Sequence, residues 1–168
     1  HLDNFYIDKT EVTQQEYKEV MGRANFSFQG INHPAEQISW YKAASYCKKL
    51  GKRLPTQLEW EKAAKGQAKT KYFWGKNPDP NYAWYGGDYD LGHHPVGKKK
   101  PNSFGLFDTS GNVWEWTNDI NGSDRECMGS SYLNLLQQIS PDSIRIVLNG
   151  SNSVNKDIGF RIIKKLSD

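Results

Sequence analysis

The alternation of apolar and polar residues along the chain breaks it into three helical stretches and several short extended ones. Phe5-Tyr6-Ile7-Asp8 reads as a short strand. Thr13-Gln14-Gln15-Glu16 has the form of a capping box, in which the threonine hydroxyl accepts from a free backbone N–H and the glutamate reaches back. It predicts a helix running to Met21 and closed by Gly22. A second helix fits Trp40 to Leu50, with Ser39 as its cap, Gly51 as its stop, and Trp40, Ala43, Ala44 and Cys47 on one face. A second capping box, Thr56-Gln57-Leu58-Glu59, predicts a third helix ending near Lys65 at Gly66, with Leu58, Trp60 and Ala63 as its apolar stripe.

From Gly66 to Ser103 no period holds, and Gly, Pro, Asn and Tyr dominate. A loop of that length inside a compact domain is unusual and often functional. Phe104 to Trp116 reads as a turn followed by a strand. From Arg125 onward the expectation is short strands joined by polar loops, with Ile144–Leu148 and Ile158–Ile163 as the clearest. These elements mix helix and strand in one α+β domain spanning residues 1–168, with no boundary or internal repeat.

Composition narrows the function. Only 36% of the 168 residues are hydrophobic, so the core must lean on the 13% that are aromatic. A net charge of +3 is too weak to argue for nucleic acid, whose binding needs basic residues gathered on one face. The one tight basic run, Lys98-Lys99-Lys100 before Pro101, reads as a solvated loop. No apolar run is long enough to span a membrane, so insertion by this chain is not expected. The chain opens at His1 and reads as a trimmed fragment, so the lack of a signal peptide decides nothing about targeting. Cys47 sits in a helical pattern and reads as a buried thiol, but a bridge to Cys127 stays open on sequence alone.

Four blocks in order resemble one family: FYIDKTEVTQQEY from Phe5, RLPTQLEWEKAA from Arg53, PVGKKKPNSFGLFDTSGNVWEWT from Pro95, and IGFR from Ile158. Ile38-Ser39-Trp40 with Ala43, Ala44, Tyr46 and Cys47 also fits. These blocks are similar to the formylglycine-generating-enzyme (sulfatase-modifying factor) domain over nearly the whole chain. The resemblance implies a C-type lectin fold with a ligand site built from loops. Read physically, the blocks bring large indoles that each want an N–H partner, and Glu59, Glu61, Glu115, Arg53 and Arg161 as ion pairs across the core. On that reading they hold up the scaffold and do not locate an activity.

In the enzyme of this family, two cysteines just after a Gly-Gly-Ser segment bind copper and oxidise a substrate cysteine. The matching segment here is Gly129-Ser130-Ser131-Tyr132-Leu133-Asn134. The first cysteine falls at Asn134 and the second near Ile139, and neither side chain replaces a soft, redox-active thiolate. Cys127 lies before the block and does not match. The expectation is therefore a protein that is not an enzyme and uses no catalytic cofactor. Some relatives hold a structural calcium ion near GNVWEW. The matching positions are Asp108, Gly111, Val113 and Glu115, two carboxylates with carbonyls that suit a hard cation. Equally, Asp108 caps a turn and Glu115 makes a buried ion pair. A second family calcium site wants an asparagine where this chain has Trp84.

The segment from about residue 130 to 161 keeps the frame but fills the ligand-facing part with Leu, Asn and Ser. This arrangement resembles the variable proteins of diversity-generating retroelements, those of Treponema in particular, where adenines of a template copy are randomised. Leu, Ser, Asp, Ile, Val, Gly and Asn are reachable from the affected codons and Gln is not, so Gln137 and Gln138 are expected in the scaffold. The candidate ligand-binding positions are Trp114, Ser131, Tyr132, Leu133, Asn134, Leu135, Asp142, Asn149, Ser151, Asn152, Ser153 and Asn155. The resemblance implies a protein or other macromolecular ligand, display at the cell surface or outside the cytoplasm, and a lipid anchor upstream. Against these stand an enzyme with another chemistry, in which Trp114, Ser131 and Tyr132 would line the pocket with no general base beside them, and a structural pseudoenzyme subunit. Val147 and Leu148 read as core strand residues.

Overall fold

A computed structural model describes residues 3–86, 92–135, 138–139, 143–147 and 152–166. The elements are β1 (Phe5–Ile7), α1 (Gln14–Met21), α2 (Trp40–Lys49), α3 (Gln57–Lys65), β2 (Trp114–Asn121), β3 (Asp124–Met128), β4 (Ile144–Val147), β5 (Ile158–Gly159) and β6 (Ile163–Lys165). All three helices start at the expected caps. Thr13 and Thr56 form complete capping boxes with Glu16 and Glu59, and the Ser39 hydroxyl accepts from the Lys42 amide.

Two sheets organise the chain. β1 and β6 pair antiparallel, Phe5 opposite Lys165. The second sheet runs β4-β3-β2-β5, with β2–β3 and β3–β4 antiparallel and β2–β5 parallel. The β2–β3 hairpin extends the single strand expected before Trp116, and its register shifts between Trp116 and Ile120. The expected strand Ile158–Ile163 is in fact two strands in different sheets. The segment between them, Phe160-Arg161-Ile162, is buried throughout and hydrogen-bonds with the backbone of Asp8 and Val12. The period-2 pattern cannot show this crossing, because every residue of the run is buried and none alternates outward.

The core is aromatic, as composition required. Tyr17, Tyr46 and Phe160 pack face and edge, with Trp40, Trp114 and Trp116 behind them. Three buried indole N–H groups find partners: Trp40 donates to the Thr117 carbonyl, Trp116 to the Ile38 carbonyl and Trp60 to Glu115, whereas the Trp84 N–H has none among the described residues. Arg53 pairs with Glu59 through two hydrogen bonds, and Glu61 pairs with Lys65. Val147 lies in the core as expected, and Leu148 lies outside the described residues.

Three expectations need correction. Leu58 is 64% exposed, and the buried stripe of α3 is Trp60, Ala63 and Ala64. The lysine run is not uniformly solvated: Lys99 places its ammonium 3.5 Å from the Trp84 ring centroid, and Lys100 lies 5.4 Å from that of Tyr82. The stretch after Gly66 has no helix or strand among its described residues, yet it is not unstructured. Tyr72, Trp74 and Tyr82 stack in near-parallel order, at 4.8 and 5.2 Å. Side-chain stacking does there what a hydrogen-bond ladder does in a sheet.

Candidate functional site

Asn112 ties the loop face together. It sits at φ 60° directly after Gly111, whose φ is 99°. A Cβ on Gly111 would lie 2.1 Å from the Trp84 carbonyl oxygen, so only glycine allows the approach. The Asn112 side chain accepts from the His94 amide and donates to Glu11 and the His94 carbonyl, and its own carbonyl accepts from the Tyr132 amide. One residue thus joins the 92–96 segment, the 131–135 turn and the segment around Trp84. GNVWEW was legible as a block, but nothing in it singled out Asn112.

The 131–134 turn is held by its own side chains. Asn134 Oδ1 accepts from the Ser131 amide at 2.7 Å and from the Ser131 hydroxyl at 3.2 Å, and its carbonyl accepts from the Gly86 amide. The Ser131 hydroxyl also lies 3.2 Å from Asp157 Oδ2, which pairs with Arg145 at 2.7 Å. Gln138 Oε1 accepts from the Leu135 amide. Gln137 lies outside the described residues.

The candidate positions therefore separate. Trp114, Ser131 and Tyr132 are buried and support the face from beneath. Asn134 is half-buried and spent on the turn. Leu133 is half-buried, Leu135 is 55% exposed, Asn152 is exposed, and Ser153 and Asn155 are half-buried. The Asn155 carbonyl accepts from the Gln37 amide, and the Asp157 carbonyl accepts from the Trp114 amide. Asp142, Asn149 and Ser151 lie outside the described residues.

Beneath the turn lies a polar cluster that the sequence reading missed. Tyr132 packs edge-on against Phe28 and His93, with centroids 6.0 and 6.3 Å away. His93 Nδ1 lies 3.1 Å from His33 Nδ1, and His93 Nε2 lies 3.6 Å from Glu36 Oε1. Gly92, at φ 69°, packs where a Cβ would meet the Phe28 ring. Burial pushes the Tyr132 hydroxyl up to about 12, helped by Asp157 and Glu36. Titratable groups thus do sit beside Tyr132. The adjacent His93-His94 pair in a chain with four histidines was the available signal.

Both cysteines are free and buried. Burial raises Cys47 to about 12 and Cys127 well above its ordinary value. Cys127 lies on β3 opposite Trp116, inside the core. Ile139, near which the resemblance places the second cysteine of the family's pair, is buried.

The calcium expectation meets a different arrangement. Both Glu115 oxygens accept from Arg161, at 2.6 Å each, and one also accepts from Trp60. Asp108 accepts from the Gly97 amide through Oδ2. Burial raises Asp108 and, further, Glu11, whose carboxyls face Arg161 together with Glu115. Among the described residues no three His, Cys, Asp or Glu side chains converge on a metal position. Glu115 is spent on the ion pair, so the two carboxylates do not fit a shared calcium ion. Trp84, at the doubtful second site, is packed between the His94 ring at 3.6 Å and Lys99.

The sequence that builds this loop face matches the family described as the sulfatase-modifying factor enzyme 1-like domain, over residues 1–166. The chain belongs to that family. Within it, the chain is 40% identical over 102 residues to the formylglycine-generating enzyme of Streptomyces coelicolor, covering 52% of this chain and 32% of that one. It is 35% identical over 150 residues to the inactive C-alpha-formylglycine-generating enzyme 2 of Bos taurus, covering 78% of this chain and 50% of that one. The chain thus spans only part of the length of these family members. Among solved structures, Treponema denticola variable protein 1 superposes with a TM-score of 0.87 at 27% identity, over 96% of this chain and 84% of that one. The fold is the C-type lectin fold of this family, mixed α+β as expected.

Proposed function

We propose that the chain is a non-catalytic ligand-binding module, and that its recognition surface is the loop face formed by residues 131–135 and 152–155 on the frame of Asn112, Ser131, Asn134 and Asp157. One observation carries this reading. Asn134, where the resemblance puts the first of the family's two cysteines, fastens its own turn, and Ile139, near where it puts the second, is buried. The two cysteines present are buried with raised pKa, so no thiolate reaches the face.

The likeness to Treponema denticola variable protein 1 supports a diversified surface, since it extends over most of both chains. Side chains that vary on a fixed backbone are how loops on a rigid scaffold carry recognition. The expected ligand is a protein or other macromolecule met at the cell surface, as the resemblance of the 130–161 segment to retroelement variable proteins implies. No helix among the described residues is long and apolar enough to cross a membrane.

Sequencing codons 130–161 in many clones or related isolates tests the reading. Substitutions gathered at Leu133, Leu135, Asn152 and their neighbours, sparing Ser131, Asp157 and the Ile158–Arg161 block, support it. An invariant segment overturns the diversified part. The relatives named formylglycine-generating enzymes favour a second reading, a thiol oxidase. Copper-dependent oxidation of a cysteine peptide by the purified chain would establish that reading and remove the first.

A further inference from the structure

Eight lysines and no arginine fall between Lys62 and Lys100, against three aspartates, of which Asp88 and Asp90 lie outside the described residues. This stretch alone exceeds the net charge of +3 carried by the whole chain. Lys62, Lys69, Lys71, Lys76, Lys98 and Lys100 are exposed, and Lys65 and Lys99 are half-buried. Among the described residues, the lysines that meet a carboxylate are Lys52, Lys65 and Lys165, so none of the six exposed ones is neutralised by a described partner. Asp79 accepts instead from the amide and side chain of Asn81.

Folding gathers charges that the sequence spreads out. Asn102 donates to the Ala63 and Ala64 carbonyls, and the Gln67 amide to the Ser103 hydroxyl, which lays the 98–103 segment beside the end of α3. The Lys100 amide donates to the Asn81 carbonyl. From there Tyr82 stacks on Trp74 and Trp74 on Tyr72, and the Lys71 ammonium stands 5.0 Å from the Tyr72 ring centroid. The aromatic stack thus links the lysines on its two flanks. At the α3 end, Lys62 lines one groove with Tyr6 and Phe104, which are 64% and 46% exposed.

The chemistry of this face selects its partner. Lysine is a strongly hydrated point charge, whereas bidentate recognition of phosphates and bases favours arginine's planar fork. The rings that would stack on nucleobases are already taken: Tyr72, Trp74 and Tyr82 cover one another, and Trp84 is held between His94 and Lys99. What remains is a diffuse cationic field with two exposed aromatic side chains at its border. That combination suits the headgroup boundary of an anionic bilayer.

We propose that this face docks on an anionic lipid surface, by contact with the headgroups and without crossing the bilayer. Attraction grows by about fivefold for each lysine near the surface and is screened by salt. None of these residues belongs to the loop face assigned to recognition, and vesicle binding is read with no ligand for that face, so either proposal can fail without the other.

Cosedimentation of the purified chain with lipid vesicles tests the docking. With phosphatidylglycerol at about 30% in phosphatidylcholine and salt at about 0.05 M, the protein is expected to pellet with the vesicles, and to be released at about 0.5 M, where screening is shorter-ranged. Pure phosphatidylcholine is expected to leave it in solution. Lys69→Gln with Lys71→Gln and Lys76→Gln is expected to weaken binding about a hundredfold. Lys42→Gln with Lys48→Gln and Lys49→Gln removes the same charge from α2 and is expected to change it little. Tyr6→Ser with Phe104→Ser is expected to weaken it at unchanged charge. Every substituted side chain is exposed, and circular dichroism checks that each variant stays folded. Absence of binding to the anionic vesicles, equal binding to neutral ones, an equal loss in both lysine triples, undiminished binding in the aromatic variant, or transfer of the protein from vesicles to a single-stranded DNA oligonucleotide at equal phosphate concentration overturns the proposal.

Discussion

Arg161 meets Glu115 through two hydrogen bonds of 2.6 Å, deep enough that their side chains are 0% and 1% exposed. The remaining guanidinium hydrogens go to the carbonyls of Asp8, Lys9 and Phe107. One side chain thus binds the start of the chain, the GNVWEW block and the crossing between β5 and β6. Replacing Arg161 with Met strands Glu115 without its counter-charge. The expected loss is about 3–5 kcal/mol, read as a shift in the urea midpoint with little change in slope.

Glu59 gives the acid limb of the stability curve. Hydrogen bonds from Arg53, above all, and from Thr56 hold its carboxyl down to about 2, against the opposing effect of burial. Its folded pKa is lowered, so its stabilisation is present above the unfolded value, near 4.3, and is lost as pH falls toward 2. Glu59→Gln is expected to flatten unfolding stability between those values. Denaturant titrations at several pH values check this.

Gly111 and Gly51 both have positive φ, at 99° and 63°. A Cβ at Gly51 meets nothing within 4 Å, and one at Gly111 strikes the Trp84 backbone. Gly51→Ala is expected to cost about 1 kcal/mol from backbone strain alone. Gly111→Ala must also push Trp84 away and is expected to cost several times more. Thermal unfolding of the two variants separates the effects.

The thiols provide a solution test of the buried state. With Cys47 raised to about 12 and Cys127 higher still, neither is expected to react with a disulfide reagent in the native protein at pH 8. Both should titrate at once in denaturant. Rapid native labelling of Cys127 would show that the β3 strand opens.

Local chemistry made the helices legible: Thr13, Ser39 and Thr56 cap where a short side chain must, whatever the rest of the chain does. Arg53 and Glu59 were legible as ion-pairing residues but not as each other's partners, and Glu61 pairs with Lys65 and not across the core. The break at Phe160 and the His33–His93 contact were not legible, because both depend on residues far apart meeting in the folded state. The candidate site was read as a run of consecutive positions. Folding sorted that run by depth, sending Ser131 and Tyr132 inward and Leu135 outward, as a turn held by Asn134 must.

The 152–157 segment is fastened by the carbonyls of Asn155 and Asp157 to the amides of Gln37 and Trp114. Carbonyls belong to every amino acid, so these two clips are indifferent to which side chain stands at Asn152, Ser153 or Asn155. Those two clips hold the backbone without drawing on the side chains at Asn152, Ser153 and Asn155. A lineage can rewrite the outward residues without having to rediscover the loop each time.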